Sequence, residues 1–89
     1  MAHKALKDLE QDLIDAANLV RIGGHYAHYK HPDQPYEVAG LAILESTDKV
    51  AVRYAALENP AVEFLRPLSS WLETVEWDGK VVARFMLLP

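Results

Sequence analysis

The amino-acid sequence predicts an α+β, mainly β, fold in which one N-terminal helix precedes a small bent antiparallel sheet, or an SH3-like barrel, of about five strands. Three observations support this prediction. Apolar residues near the N-terminus recur every three or four positions, and later segments alternate with a period of two. Gly, Pro and Asp separate those later segments. The chain has 89 residues, which is the size of a single compact domain with a thin core.

The predicted helix covers residues 4–20 of an N-terminal segment, 1–22, that precedes the β domain at 23–89. The pair Gly23-Gly24 ends the helix. An apolar stripe on this helix usually packs on its own domain, and a helix–helix contact in a homodimer is the alternative. The first three leucines of the stripe, Leu6, Leu9 and Leu13, are therefore candidate interface residues. The stripe is formed, at spacings of three and four, by Leu6, Leu9, Leu13, Ala16 and Val20.

The middle of the chain is predicted to form three strands. In the first, Tyr26 and His28 alternate with residues that point to the opposite face. Two prolines interrupt the pattern after it, and proline does not fit inside a strand ladder. Gly40 lies at the centre of the second strand, where it permits a bend or a bulge. The predicted elements are a strand at 25–31, a turn at 31–35, a strand at 36–44, a turn at 46–49 and a strand at 50–57.

The last third of the chain is predicted to contain a short strand and a hairpin. Residues 64–66 begin as a strand, which breaks at Pro67 and leads into one helical turn. Residues 73–85 form a hairpin around Asp78-Gly79, because both central positions of a type I′ turn need a positive φ.

Composition and charge exclude several classes of function. The net charge is −4, with nine basic and thirteen acidic residues, so non-specific binding of nucleic acid is not expected. Cysteine is absent, which excludes disulfides, thiolate catalysis and zinc–thiolate sites. No apolar run approaches the ~18 residues that a membrane span needs. We therefore expect a cytoplasmic protein with no membrane partner, no metal and no cofactor.

Residues 24–86 resemble a family of small bacterial domains, domain of unknown function 1653. The resemblance rests on the order and spacing of several motifs, and it implies a compact β-barrel-like domain without implying an activity. The motifs are Gly24-x-Tyr26-x-His28-Tyr29-Lys30, Tyr36-x-Val38-x-Gly40-x-Ala42, Val52-x-Tyr54-x-Ala56-Leu57, Arg66-Pro67-Leu68, Glu73-x-Val75-Glu76-x-Asp78-Gly79 and Arg84-Phe85.

The chain departs from this family at one place. After the Gly-x-Ala motif the family usually has Arg-His-Ser-Glu-Thr, whereas this chain has Ile43-Leu44-Glu45-Ser46-Thr47. If a family site uses that Arg and His, this chain lacks half of it.

Three histidines, His25, His28 and His31, lie close together in the sequence. In a strand His28 points away from the other two, which are about 20 Å apart at about 3.3 Å per residue. Zinc ligands must meet within ~2.1 Å of one point, so this spacing excludes a shared metal site. His28 is either a hydrogen-bonded surface residue or, because imidazole titrates near neutral pH, a functional one.

Four residues are candidate ligand contacts. Arg66, held in an extended conformation by Pro67, suits a carboxylate or a phosphate, and its structural alternative is an ion pair with Glu73 or Glu76. Aromatic rings suit a planar ligand or, alternatively, the core. The candidate ligand-binding residues are Tyr26, His28, Tyr54 and Arg66.

Three hypotheses of function follow. The first is a non-catalytic binding module for a small anionic or planar ligand or a peptide. The second is an assembly protein that dimerises through the leucine stripe or through a sheet edge. The third is a small enzyme with His28 as general base and Arg66 stabilising negative charge. The thin core and the missing polar run at Ile43-Leu44 argue against the third hypothesis. The sequence also has no nucleophile elbow and no phosphate loop, so no catalytic residue is assigned.

Overall fold

The computed structural model describes residues 4–89, and in this part of the chain two helices and seven strands are present. The predicted combination of an N-terminal helix with a mainly antiparallel β unit is confirmed. Residues 1–3 of the predicted N-terminal segment lie outside the described residues. The elements are α1 (Leu6–Ala17), β1 (His25–His28), β2 (His31–Leu44), β3 (Lys49–Ala56), β4 (Glu63–Pro67), α2 (Leu68–Trp71), β5 (Thr74–Trp77), β6 (Lys80–Ala83) and β7 (Phe85–Leu87).

Five of the strands form one antiparallel sheet in the order β4-β3-β2-β1-β7, and β5 pairs with β6 in a separate two-stranded sheet. Within residues 4–89 the edge strands β4 and β7 do not pair with each other, so the sheet stays open. These residues therefore form an open antiparallel sheet and no closed barrel.

Helix α1 ends at Ala17, three residues before the predicted end. A turn follows, in which the N–H groups of Leu19 and Val20 both donate to the Ala16 carbonyl. Ala16 and Val20 are buried, whereas Leu6 is 84 % exposed. The apolar stripe is thus buried at its C-terminal end, half-buried at Leu9 and Leu13, and exposed at Leu6. Neither described helix has the length and the hydropathy that crossing a membrane requires.

The predicted turn at 31–35 is wrong, because these residues belong to β2. The turn between β1 and β2 lies at Tyr29-Lys30. Pairing with β1 jumps from Tyr26↔Tyr36 to His28↔His31, so residues 32–35 bulge out of the ladder. Both prolines of the segment lie in that bulge, where no ladder hydrogen bond is needed from them.

Three other local predictions are confirmed. Pairing between β2 and β3 shifts between Val38 and Gly40, which is the bulge expected at this glycine. Asp78 and Gly79 have φ of 53° and 77°, as a type I′ hairpin requires. Strand β4 stops at Pro67, and the single helical turn of α2 follows it.

The core lies where α2 and the end of the α1 segment cover one face of the sheet. Trp71 is at its centre: the Phe85 ring stacks on it at 3.8 Å with the planes 3° apart, and the rings of Tyr54 and Tyr26 meet it edge-on at 4.9 and 5.3 Å. Edge-on and stacked aromatic contacts of this kind add to the free energy of apolar burial. The buried core residues are Val20, Tyr26, Val38, Val52, Tyr54, Trp71 and Phe85.

Candidate functional site

A cavity of about 210 Å³ opens on the same face of the sheet, beside the aromatic core. Its lining combines a guanidinium, two imidazoles and four aromatic rings, and no Asp or Glu is among the described residues that line it. The cavity therefore presents hydrogen-bond donors against apolar walls. The lining residues are His28, His31, Tyr36, Tyr54, Phe64, Arg66 and Phe85.

Strand register brings Arg66 to this face. Arg66 in β4 pairs with Val52, and Phe64, two residues earlier, pairs with Tyr54. Residues two apart in a strand point to the same side, so the guanidinium and the Phe64 ring share the cavity. Arg66 Nε donates to the Tyr54 hydroxyl at 3.4 Å, and Nη1 donates to Ser70 Oγ at 2.9 Å. The guanidinium carbon also lies 5.3 Å from the centre of the Phe85 ring.

Arg66 forms no ion pair within residues 4–89. The alternative of an ion pair with Glu73 or Glu76 is therefore wrong. Glu73 instead pairs with Arg84 Nη2 at 2.9 Å. The two acceptors that Arg66 contacts, Tyr54 and Ser70, are neutral, so the positive charge of the half-buried guanidinium is not compensated by a carboxylate. An uncompensated cation beside a cavity attracts an anion.

His28 is held at the end of β1 by its surroundings. Its Nδ1 accepts a hydrogen bond from the Lys30 N–H at 3.1 Å, in the turn that follows β1. The ring meets Phe85, its partner across the β1–β7 ladder, edge-on at 5.1 Å. Because Nδ1 accepts, the proton of the neutral imidazole lies on Nε2. Neutral His28 is thus a hydrogen-bond donor through Nε2.

Burial lowers the pKa of His28 below its ordinary value of 6.5, and the positive charges of Arg66, His31, Arg84 and Lys30 lower it further. The neutral ring is therefore favoured near neutral pH. A general base needs a free lone pair, and here the Nδ1 lone pair is already used by the Lys30 N–H. The geometry suits hydrogen-bond donation better than proton abstraction.

The two candidate tyrosines lie in different places. Tyr54 is buried, but it lines the cavity and accepts the hydrogen bond from Arg66. Tyr26 does not line the cavity: its ring packs edge-on against Trp71, and its hydroxyl accepts a hydrogen bond from the Arg21 N–H at 2.9 Å. The structure thus brings His28, Tyr54 and Arg66 together at the cavity. Tyr26 lies in the core instead, where the Arg21 N–H in the turn after α1 provides a partner for its hydroxyl.

Sequence reasoning missed four of the lining residues. Phe64 had a usable signal, because it is two residues before Arg66 and so shares its face. Phe85 had none, since it reaches the cavity through the pairing of β7 with β1, which no local pattern shows. His31 and Tyr36 depend on the bulge in β2 that was predicted as a turn.

The candidate interface residues Leu6, Leu9 and Leu13 line a different cavity, of about 550 Å³, between α1 and Ile43 of β2. Within residues 4–89 no group of three or more His, Asp or Glu side chains is arranged to hold a metal ion.

The chain is similar in sequence and in fold to known proteins. Residues 24–87 match the family described as protein of unknown function (DUF1653). The crystal structure of a protein of this family from Bordetella bronchiseptica has 37 % sequence identity and a TM-score of 0.60, and the match covers 71 % of this chain and 81 % of that one. None of the curated proteins gives a significant match.

Proposed function

We propose that this chain, which belongs to the DUF1653 family of proteins of unknown function, is a binding module for the anionic group of a ligand. The geometry of its cavity supports this proposal. The guanidinium of Arg66 is the anion contact. His28 Nε2–H and the Tyr54 hydroxyl are additional donors, and the aromatic walls hold the apolar or planar part of the ligand.

The observation that carries this proposal is the hydrogen-bonding state of Arg66. A guanidinium has five N–H bonds, and the contacts with Tyr54 and Ser70 use two of them. Three N–H bonds remain for a ligand, while the two used bonds fix the plane of the group. A planar guanidinium held in this way is preorganised for a carboxylate, which the two N–H bonds of Nη2 and the remaining one of Nη1 can contact.

The local charge also favours an anion, although the whole chain is acidic. The lining residues include one permanent cation and no carboxylate. The attraction is therefore local, and it acts on a group that enters the cavity rather than on a long polyanion.

Titration of the ¹⁵N-labelled protein with sodium benzoate, at constant ionic strength, tests the proposal. We expect amide shifts concentrated in β4 and at the end of β1. Arg66→Gln should raise the Kd about tenfold or more, because it removes a charge-assisted hydrogen bond.

Arg53→Gln is the matched control. Arg53 is in β3, next to Tyr54 but on the opposite face, and its Nε pairs with Glu63 at 3.2 Å. The control should bind benzoate like the unchanged protein. Inorganic phosphate is titrated as a second anion. Equal affinity of the two variants for benzoate, or no binding of either benzoate or phosphate to the unchanged protein, would show that the cavity is not an anion site.

Assembly through α1 is the second candidate function, and the exposure of Leu6 favours it. This leucine is 84 % exposed, and with Leu9 and Leu13 it borders the apolar cavity beside Ile43. A second copy of the chain could cover this surface with its own α1. Light scattering at high protein concentration tests this candidate: a homodimer that Leu6→Gln and Leu13→Gln convert to a monomer supports it, and a monomeric unchanged protein excludes it.

A further inference from the structure

We propose, on the basis of the anion-binding function above, that the ligand is the C-terminal end of a peptide, which adds as a strand to the outer edge of β4 and places its terminal carboxylate on Arg66. Three features of the structure support this proposal: the unpaired edge of β4, the continuity of that edge with the cavity, and the size and charge of the cavity.

The first feature is the edge. Strand β4 pairs with β3 on one side, and no described strand pairs with its other side. An edge strand offers unpaired N–H and C=O groups to an extended segment, and proteins often block such edges with lysine, proline or a bulge. Here the edge strand carries Phe64 and Leu65, which are 47 % and 58 % exposed, and Val62 just before it is 48 % exposed. Pro67 limits only the far end of the strand.

The second feature is that the edge and the cavity are continuous. Phe64 and Arg66 belong to the edge strand, and both line the cavity. In a peptide paired with β4, side chains would alternate in the same way as those of β4. Every second side chain of the peptide would therefore point to the face on which the cavity opens. The last of them can enter the cavity while the carboxylate beside it meets Arg66.

The third feature is size and charge. Clefts that enclose drug-sized molecules have volumes of about 300–1,000 Å³. This cavity, of about 210 Å³, is smaller and suits one apolar side chain with an adjoining carboxylate. The single guanidinium matches a group with one negative charge, and the remaining donors, His28 Nε2–H and the Tyr54 hydroxyl, are neutral. A doubly charged phosphate would find only half of its charge compensated.

The test uses two peptides of the same sequence, acetyl-Ser-Ser-Thr-Val-Leu, one with a free C-terminal carboxylate and one with a C-terminal amide. We expect the free acid to bind with a Kd about tenfold or more below that of the amide, because the amide has no charge for Arg66. Amide shifts should run along residues 63–66. Arg66→Gln should make the two peptides equal in affinity, and Arg53→Gln should preserve their difference.

Three further peptides, each methylated at one central backbone nitrogen (that of the second serine, the threonine or the valine), test strand addition. Alternate N–H groups of a strand face its neighbour, so at one or more of these positions methylation removes a ladder hydrogen bond without changing the side chains or the carboxylate, and it should weaken binding there if the peptide pairs with β4. Equal affinity of the acid and the amide, or no effect of methylation at any of the three central residues, would overturn the inference.

Failure of this inference is distinguishable from failure of the proposed function. If benzoate binds at Arg66 and the free-acid peptide binds no more tightly than benzoate, the anion site stands and the peptide assignment is wrong. If neither benzoate, phosphate nor the free-acid peptide binds, both are wrong.

Discussion

Glu73 holds Arg84 through both its side chain and its backbone. Glu73 Oε2 accepts a hydrogen bond from Arg84 Nη2 at 2.9 Å, and the Glu73 carbonyl accepts one from the Arg84 N–H at 3.0 Å. These residues flank the β5–β6 hairpin, so the pair ties its two ends together. Because Glu73 is used in this way, it does not neutralise Arg66.

Replacing Glu73 by glutamine should therefore affect stability and not ligand binding. The ion pair is partly exposed, and we expect the free energy of unfolding in urea to fall by about 1 kcal/mol. Glu76→Gln, at an exposed position of β5, is the matched control and should have little effect. A change in the benzoate affinity of Glu73→Gln would contradict the assignment of this carboxylate to Arg84.

Gly79 provides a test of the hairpin geometry. Its φ is 77°, and although nothing stands within 4 Å of a Cβ built there, a side chain disfavours this conformation. We expect Gly79→Ala to cost about 1–2 kcal/mol in urea unfolding. Asp78→Asn should be close to neutral, because asparagine tolerates a positive φ well. A neutral Gly79→Ala would mean that the hairpin does not use a type I′ turn in solution.

The two tryptophans should differ sharply in their contribution to stability. Trp71 is 2 % exposed and contacts Phe85, Tyr54 and Tyr26, so Trp71→Ala should cost about 3–5 kcal/mol. Trp77 is 47 % exposed, and among the aromatic rings of residues 4–89 it meets that of Tyr29, edge-on at 5.2 Å, so Trp77→Ala should cost about 1 kcal/mol. Chemical unfolding followed by circular dichroism measures both, and similar losses would contradict the burial of Trp71.

The lowered pKa of His28 predicts a loss of stability in mild acid. The folded chain binds this proton more weakly than the unfolded chain does. Stability therefore falls as the pH drops below about 6.5, and the loss is complete below the folded pKa. Protonation also removes the Nδ1 lone pair that accepts from the Lys30 N–H.

His28→Asn should reduce this loss, because its Oδ1 can replace Nδ1 as acceptor and does not titrate. We expect similar stability of the two proteins at about pH 7.5 and a smaller decline for the variant towards about pH 5. Urea unfolding at several pH values measures the difference. Parallel curves for the two proteins would show that His28 does not carry the effect.

The accuracy of sequence reasoning depended here on how local the determining contacts are. The Asp78-Gly79 hairpin and the bulge at Gly40 were predictable because backbone conformation at one or two residues decides them. The segment 31–35 was misread because its prolines fit equally well in a turn and in a bulge, and only the pairing of β1 with β2 distinguishes the two.

The candidate site shows the same limit. The alternation of β1 and the position of Arg66 before a proline pointed to His28 and Arg66, which line one cavity. The partners of Arg66 did not follow from sequence. Ser70 contacts Arg66 because α2 packs beside β4. Glu73 does not contact Arg66 because it pairs with Arg84, which lies at the other end of the β5–β6 hairpin. Tyr26 shares a strand face with His28, but the Trp71 ring covers it. The burial of Tyr26 therefore depends on how α2, which carries Trp71, packs on the sheet.

From the pairing of β7 with β1 we also expect an order in which the sheet forms during synthesis. Strands β1 to β4 form successive neighbours and can pair as they emerge from the ribosome, whereas β7 must close a loop that spans the whole β unit. Phe85 is one wall of the cavity and the stacking partner of Trp71. A nascent chain can therefore build most of the sheet early, but it acquires a complete cavity only after residue 85 has left the exit tunnel.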